Sequence, residues 1–465
     1  MADTSSSSSG SHGGHATDLS VLPSAGLDAS ILVGVGCALV LVGEPLAWMA
    51  RASLGGGKSP LFSATLLLFG ILLILSIPSL RRGRFWAHIS EMAPVLIPLL
   101  CILVLSFARV SDFDFMFGAE LHGFAGRDTR MLIDTVVLLL FTVAIYSQPL
   151  SRFERVTASI TVIGALAATM SVLYAISSAG TFAAFLLTGR LGGFGEGEQG
   201  SAPFTIAKLG ALTAVAAVIW YRERSHASTA KASVIAWAVI VGLLLLLFAR
   251  ARTVMLGLGF LAACAFVLHL LQSRIFPKRN NPHARGITRL GLAVSVVSLF
   301  GLGELLVGHF DQLSKLTNQM FTVITAGAGT LLGHASIDAS AVLRRAAFQT
   351  TFANVNVFGH GVKARYTDDP VLSAYYDLGL VGGTIFVFVA ILLPLKICLD
   401  LCTRRQQLPP AVQLAIGFYF ISIPNFFLLL TPYAPQNWYP IIFFYAIAGR
   451  YWNAPAGSMQ PSVIA

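Results

Sequence analysis

The most regular feature of the sequence is a series of long apolar stretches separated by short polar ones. A helix needs about 20 residues to cross a hydrocarbon core of about 30 Å, and most of these stretches approach that length. The pattern predicts an all-α, polytopic integral membrane protein with about twelve transmembrane helices. The predicted spans lie near 29–48, 61–80, 92–108, 131–147, 156–177, 203–221, 232–248, 254–271, 290–307, 378–399, 411–430 and 437–450.

Basic residues are concentrated in alternate connections between these stretches. Short loops rich in Lys and Arg remain in the cytoplasm, so an even number of spans places both termini there. Residues 1–27 contain no Lys or Arg and are expected to form a disordered tail, and 451–465 form the second tail. The loops predicted to lie inside carry Arg81, Arg82, Arg84, Arg152, Arg155, Arg222, Arg224, Lys231, Arg274, Lys278, Arg279, Arg285, Arg289, Arg404 and Arg405.

The composition supports a membrane location and excludes several soluble classes. Of the 465 residues, 55% are hydrophobic and 11% are charged, whereas soluble domains have about 25% charged residues. This excludes a cytosolic enzyme, a secreted disulfide scaffold and a free nucleic-acid binder, so no nucleic-acid partner is expected. The net charge of +10 is interpreted as basic loops that interact with anionic lipid or with an anionic substrate.

One connection is far longer than the usual link of a few residues. It runs from 308 to 370, between the ninth and tenth predicted spans. The chain is thus divided into spans one to nine (28–307), an extracytoplasmic loop (308–370) and spans ten to twelve (371–450). Long loops of this kind are usually functional or disordered.

The long loop carries a helical signal of its own. Arg344, Phe348 and Phe352 recur at a spacing of four, which predicts an amphipathic helix with Arg344 on its inner face. This signal ends before His360, which lies between two glycines. We therefore expect the loop to be partly helical.

Several arginines lie on the side predicted to be extracytoplasmic. Arg250 and Arg252 separate two apolar stretches at a tight outer turn, where Arg250 serves equally well as an interface anchor and Arg252 favours function. Arg190 lies in a glycine-rich stretch, where the backbone can approach a ligand closely. Arg344 and Arg345 are adjacent, so only one faces inward. Since guanidinium groups bind phosphate bidentately, these residues indicate an anionic ligand.

Two carboxylates precede the tenth predicted span. Asp368 and Asp369 stand directly before Pro370, a pattern typical of a helix N-terminus whose dipole favours negative charge. The functional alternative is that one carboxylate accepts a proton from a sugar hydroxyl. His360 and His334 are rival candidates for that base, or else solvated loop histidines.

The remaining ionisable residues give weaker signals. Asp112 and Asp114 flank a phenylalanine and fit a solvated loop better than a cation site, and no zinc spacing or P-loop occurs. We therefore predict neither a metal nor a cofactor. Ionisable residues inside predicted spans either mark a translocation path or pair within the bundle; they are Glu44, Asp134, Lys208 and Glu304.

Three pieces of the chain, in order, resemble the bacterial O-antigen ligase and O-antigen polymerase superfamily. They cover roughly residues 185–400. The first runs from Gly189 to Phe194, and the second is the apolar stretch that ends at Arg252 and Thr253. The third combines Arg344 and Phe348 with Val357 to Gly361, Asp368, Asp369 and Leu378 to Gly383.

The resemblance implies a GT-C-like glycosyltransferase in the bacterial inner membrane. Its substrate would be an undecaprenyl-diphosphate-linked oligosaccharide held among membrane lipids, with a chain-length regulator protein as a further candidate partner. The implied reaction is a metal-independent, inverting glycosyl transfer at the periplasmic face. Arg190, Arg252 and Arg344 would bind the diphosphate, and Asp368 or Asp369 would orient or deprotonate the acceptor. The implied substrate-binding residues are Arg250, Arg345, His360 and Arg365.

The resemblance is closer to the polymerases than to the ligases. Family ligases carry His-Asn where this sequence has Asp368 and Asp369, and an acidic residue there resembles the polymerases. A ligase that transfers the glycan to another acceptor remains an alternative, as does a flippase for lipid-linked oligosaccharides. Because the candidate arginines cluster at one face rather than at the midplane of two related halves, the sequence favours an enzyme over a transporter.

Overall fold

The computed structural model describes residues 28–43, 46, 61–77, 91–93, 95–100, 124–179, 203–223, 229–249, 254, 258–259, 261, 348–349, 351–361, 369–403, 408–428, 432 and 435–454. Every regular element in these ranges is helical, which confirms the predicted all-α class. The helices are α1 (Ala29–Val42), α2 (Leu61–Leu75), α3 (Phe124–Tyr146), α4 (Val156–Ala179), α5 (Pro203–Arg222), α6 (Thr229–Ala249), α7 (Pro370–Val387), α8 (Leu393–Thr403), α9 (Pro410–Ser422), α10 (Asn425–Leu428), α11 (Pro435–Phe444) and α12 (Arg450–Asn453).

Three short elements join these helices. A 3₁₀ turn, Leu150–Phe153, precedes α4. Two π-helical segments, Phe388–Leu392 and Tyr445–Gly449, join α7 to α8 and α11 to α12. Helical structure therefore extends from 370 to 403, with a break inside α7 at Gly379, and from 435 to 453.

Within the described residues, five helical stretches are long and apolar enough to cross a bilayer. They are Leu150–Tyr174, Thr205–Arg222, Thr229–Leu246, Pro370–Leu401 and Pro410–Phe427. Shorter apolar helices cover Ala29–Val42, Leu66–Leu75 and Thr135–Tyr146. The chain is thus a helical membrane-embedded protein. The predicted span near 290–307 lies outside the described residues. Of the span near 92–108 the structure describes 92–93 and 95–100, and of the span near 254–271 it describes 254, 258–259 and 261.

The described helices pack into a closed ring. In spatial order α3 contacts α2, then α1, α4, α5, α9 and α11, and α11 returns to α3. Helix α6 packs against α4 and α5, and the π segment after α11 packs against α8. The edge-to-face contact between Phe141 of α3 and Tyr439 of α11, with ring centroids 5.7 Å apart, closes the ring.

Glycines set the closest helix crossings. A β-carbon at Gly210 of α5 would lie 2.5 Å from the Gly242 carbonyl oxygen of α6, and one at Gly242 would lie 2.7 Å from the Gly210 oxygen. The crossing of α1 and α2 is similar, since a β-carbon at Gly36 would lie 2.7 Å from the Gly70 oxygen. Helices in lipid associate through such close backbone approach, which explains part of the glycine content.

A buried polar cluster ties several helix ends together at one end of the ring. Gln148 is fully buried; its Nε2 donates to the Ile74 carbonyl oxygen at 3.0 Å, and its Oε1 accepts from Arg152 Nη1 at 2.7 Å. Arg450 donates to the Gln148 carbonyl oxygen at 2.8 Å and forms an ion pair with Glu91 at 3.0 Å. The loop after α3, the C-terminal end of α2 and the C-terminal helix α12 therefore meet at this end, which we call the basic end.

The final predicted span is one of the most buried parts of the described chain. It begins at Pro435 and passes through Pro440 without ending, and every residue from 437 to 449 is buried. The Tyr445 hydroxyl donates to the Val389 carbonyl oxygen at 2.9 Å, and the Tyr419 hydroxyl donates to that of Ala390 at 2.8 Å. Both acceptors lie in the first π segment, where the regular helical ladder is interrupted.

Side-chain burial is described for two of the five cysteines. Cys37 in α1 and Cys398 in α8 are both buried, and buried cysteines of this kind behave as small hydrophobic side chains.

Candidate functional site

Two of the nine predicted site residues, His360 and Asp369, lie in the part of the chain that the structure describes. The others lie outside the described residues, as do the rival base His334 and the pair Asp112 and Asp114. The undescribed site residues are Arg190, Arg250, Arg252, Arg344, Arg345, Arg365 and Asp368. The environments of His360 and Asp369 are therefore the described part of the predicted site.

Helix α7 is broken at Gly379. That residue has φ +74° and ψ −170°, while the residues around it continue the helix. In an unbroken helix the Tyr376 and Asp377 carbonyl oxygens would accept from the amides four residues later. The break removes those bonds and leaves four backbone groups without their usual intrahelical partners.

The segment 356–361 supplies the missing partners. The amides of His360 and Gly361 donate to the Tyr376 and Asp377 carbonyl oxygens, each at 3.0 Å. In the other direction, the amides of Leu380 and Val381 donate to carbonyl oxygens of that segment. The Leu380 amide reaches the Asn356 oxygen at 2.9 Å, and the Val381 amide reaches the Val357 oxygen at 3.3 Å. An apolar span requires such compensation, because lipid offers no hydrogen bonds to an open backbone.

Two glycines make this backbone pairing sterically possible. A β-carbon at Gly359 would lie 2.1 Å from the Asp377 carbonyl oxygen, and one at Gly379 would lie 2.2 Å from the Gly359 amide nitrogen. Both residues also have positive φ, +79° and +74°, a region that suits glycine. The Gly359 amide additionally donates to the Asn356 side-chain oxygen, so the turn is fixed from within.

His360 is held on both of its sides. Its ring stacks on Tyr376, with centroids 4.6 Å apart and planes 30° apart. Its Nε2 lies 2.6 Å from the Asn354 carbonyl oxygen. A carbonyl oxygen only accepts hydrogen bonds, so Nε2 carries a proton, and in the neutral ring Nδ1 carries the lone pair. The geometry thus assigns any proton acceptance by His360 to Nδ1.

Asp369 caps helix α7. Its Oδ1 accepts from the Leu372 amide at 3.0 Å, its carbonyl oxygen accepts from the Ser373 amide at 2.8 Å, and Pro370 occupies the first helical position. The prediction that at least one of the two carboxylates serves a helix N-terminus is confirmed for this residue.

The aromatic face predicted from the spacing of four is present but exposed. The Phe348 and Phe352 rings lie 4.6 Å apart, so the two side chains share a side as predicted. Their exposed fractions are 54% and 57%. The face expected to pack inward is therefore not covered at these two positions.

Lys208, one of the intramembrane ions considered from sequence, makes an aromatic contact within the bundle. Its Nζ lies 5.0 Å from the ring centroid of Phe418 on α9. A cation over a ring face is stabilised by the ring quadrupole, more strongly where water is excluded. This contact favours pairing within the bundle over a translocation role.

The sequence reasoning missed Tyr376, the break at Gly379 and the burial of Asp377, which is 1% exposed. The sequence shows glycines at 359, 361 and 379, but no neighbouring residues indicate that Gly359 and Gly379 contact each other. The one sequence signal of a broken helix was Gly379, two positions after the carboxylate of Asp377.

These features define a polytopic helical membrane protein whose described part includes a discontinuous span, α7. No protein-family model matches the chain, and no curated protein matches it either.

Proposed function

We propose that this chain is a polysaccharide polymerase of the O-antigen or exopolysaccharide type. It joins undecaprenyl-diphosphate-linked repeat units at the periplasmic face of the bacterial inner membrane, as a multi-pass glycosyltransferase. The proposal includes about twelve spans, cytoplasmic termini and a periplasmic catalytic loop, 308–370.

One observation carries the proposal: two segments of the third piece that resembles the ligase and polymerase superfamily are in direct contact. The turn at 356–361 and the residues on either side of Gly379 form backbone hydrogen bonds in both directions, although about twenty residues separate them. Asp369 lies seven residues before Tyr376, roughly 10 Å away at 1.5 Å per helical residue. His360 and Asp369 therefore belong to the same end of α7, as residues of one site must.

The position of this end along the span supports an interfacial site. From Leu380 to Asp400 the helix rises by roughly 30 Å, close to the thickness of a hydrocarbon core. Asp400 accepts a hydrogen bond from Trp452 Nε1 at 3.1 Å, and α12 also carries Arg450 of the basic end. The basic end suits the cytoplasmic side, so the 356–361 turn suits the opposite boundary.

The proposed reaction is a displacement at the anomeric carbon. A hydroxyl oxygen of one repeat unit forms a bond to the anomeric carbon of the growing chain, the bond from that carbon to the diphosphate oxygen breaks, and lipid diphosphate leaves with the electron pair. Arg190, Arg252 and Arg344 stabilise the charge that develops on the diphosphate. The hydroxyl proton passes to Asp368, Asp369 or Nδ1 of His360. Of these, Asp369 already uses Oδ1 as a helix cap.

The test is an elongation assay with the full-length chain in phospholipid vesicles. Given only lipid-linked repeat units and a metal chelator, the protein should lengthen them, whereas a ligase needs a separate acceptor. Arg252→Ala and Arg344→Ala should reduce elongation at least 100-fold. Arg222→Ala is the matched control, since Arg222 is exposed at the far end of α5 and should elongate normally. No lengthening by the unsubstituted chain would refute the proposal.

A flippase for the same lipid-linked sugars is the second candidate. The observation that favours it is the break in α7, because transporters often carry discontinuous spans with unwound backbone. The two functions are separated in cells that carry Arg344→Ala. A polymerase defect leaves single lipid-linked units exposed on the outer face, whereas a flippase defect retains them inside.

A further inference from the structure

A stripe of exposed apolar side chains runs along the helix formed by α7, the first π segment and α8. Val381, Phe388, Leu392 and Leu399 are exposed by 42%, 50%, 55% and 67%. Their spacing of seven, four and seven residues places them on one helix face. In a membrane-embedded helix such a face contacts lipid acyl chains, so this stripe marks the lipid-facing side of the span.

A second group of exposed apolar side chains lies outside the span. Phe348, Phe352, Val357 and Phe358 are exposed by 54%, 57%, 53% and 55%. We call these four residues the aromatic patch. Large apolar side chains gathered in this way on an exposed segment mark an interaction surface.

The aromatic patch is continuous with the lipid-facing stripe. The Val381 amide, on the stripe, donates to the Val357 carbonyl oxygen of the patch, and the adjacent Leu380, itself 52% exposed, donates to Asn356. Backbone hydrogen bonds thus join the patch to the upper end of the stripe. The upper end of the stripe therefore lies directly beside Val357 of the patch.

The level of the patch along the span suits the boundary of a bilayer. Leu380 stands roughly 30 Å from Asp400 along the helix, about one hydrocarbon thickness. Two exposed asparagines, Asn354 and Asn356, lie between Phe352 and Val357 of the patch. A segment with apolar and amide side chains interleaved is suited to lie where acyl chains meet headgroups.

We propose that the segment 348–358 is an interfacial membrane anchor, whose aromatic patch inserts among the acyl chains of the leaflet opposite the basic end. The occupant of this surface is the bilayer itself. The anchor holds His360, two residues further on, at the level of the lipid headgroups. The inference rests on the lipid-facing stripe and the backbone pairing, and it holds whether the protein polymerises or flips its substrate.

The test measures the depth of nitroxide labels in the full-length protein. Phe352→Cys and Phe358→Cys are labelled and reconstituted in phosphatidylcholine and phosphatidylglycerol vesicles, and the unsubstituted chain sets the background. Collisions with oxygen, which concentrates in acyl chains, are compared with collisions with a water-soluble nickel chelate. Leu392→Cys on the stripe is the acyl reference, and Asn453→Cys, exposed at the basic end, is the water reference.

Labels at 352 and 358 should have an oxygen-to-nickel collision ratio at least threefold above that at 453, at a depth of about 5–10 Å below the headgroups. A ratio equal to that at 453 would place the patch in water and overturn the proposal. Shielding of the labels from both oxygen and the nickel chelate would also overturn the proposal, because it would show that protein covers the patch. If dilution with lipid then removed the shielding, the covering protein would be a second copy of this chain. Val357→Cys provides the same reading if Phe358→Cys does not fold.

Discussion

Replacing Gly379 with alanine directly tests the pairing between α7 and the 356–361 turn. Alanine is strained at φ +74° and ψ −170°, a glycine-only region that costs other residues about 1–3 kcal/mol. The added β-carbon also lies 2.2 Å from the Gly359 amide nitrogen and 2.5 Å from the Val357 oxygen. Both neighbours are backbone atoms, so the two segments must separate.

Separation removes the four backbone hydrogen bonds of the pairing, each worth about 0.5–1.5 kcal/mol. Strain and lost bonds together amount to at least about 3 kcal/mol, which corresponds to more than about 100-fold in the opening equilibrium. Hydrogen–deuterium exchange followed by mass spectrometry reports this opening. Peptides that cover 356–361 and 379–383 should exchange more than 100-fold faster in Gly379→Ala.

Gly417→Ala is the matched control, because its β-carbon meets only a Val215 side-chain atom at 3.1 Å, and exchange at the turn should not change. Gly359→Ala should behave like Gly379→Ala, since its β-carbon would lie 2.1 Å from the Asp377 oxygen. The double variant should exchange no faster than either single one, because both remove the same pairing. Unchanged protection in Gly379→Ala would refute the described break.

Three further substitutions probe other contacts of the described chain. Arg450→Ala removes the bonds to the Gln148 carbonyl oxygen and to Glu91. It should lower the free energy of unfolding by about 1.5–3 kcal/mol, measured as a lower thermal midpoint in detergent. Arg222→Ala is the exposed control and should change the free energy of unfolding by less than about 0.5 kcal/mol. Tyr445→Phe leaves the Val389 carbonyl oxygen without its hydroxyl donor and should cost about 1 kcal/mol, so an unchanged midpoint would contradict the assigned bond. Asp369→Ala should lower the free energy of unfolding by about 0.5–2 kcal/mol, whereas Asp369→Asn, which still caps the helix, should not change it. If the asparagine variant retains elongation, Asp369 is a positioning residue. If that variant loses elongation while its stability is unchanged, Asp369 is the base.

The sequence predicted the class of fold because its strongest signals are local. An apolar stretch of span length, or Asp369 before Pro370, specifies a helix or its start within a few residues. The last predicted span is short and contains Pro440, yet residues 437–449 are all buried. Its neighbours decide its structure, since Phe141 and Phe418 pack against Tyr439 and Phe443.

The candidate site could be predicted only in part, because its geometry depends on contacts between distant residues. His360 was identified from its flanking glycines, but its partners Asn354 and Tyr376 carry no motif. The sequence around Gly379 resembles that of ordinary helix packing through small residues. Only the close contact with Gly359 distinguishes the position. The predicted inward aromatic face was wrong at Phe348 and Phe352, since helical spacing fixes which side chains share a side and not what that side meets.

The burial of α11 and its π segment has a consequence for biosynthesis. A ribosome delivers helices to the membrane in chain order, so α3 and α9 are inserted before the segment that fills the space between them. Until Trp438 and its neighbours arrive, that space is occupied by lipid or by a translocon surface. Completion of the bundle is thus postponed until residues 435–453 have been translated, and nascent chains halted earlier present an unfilled seam to quality-control proteases.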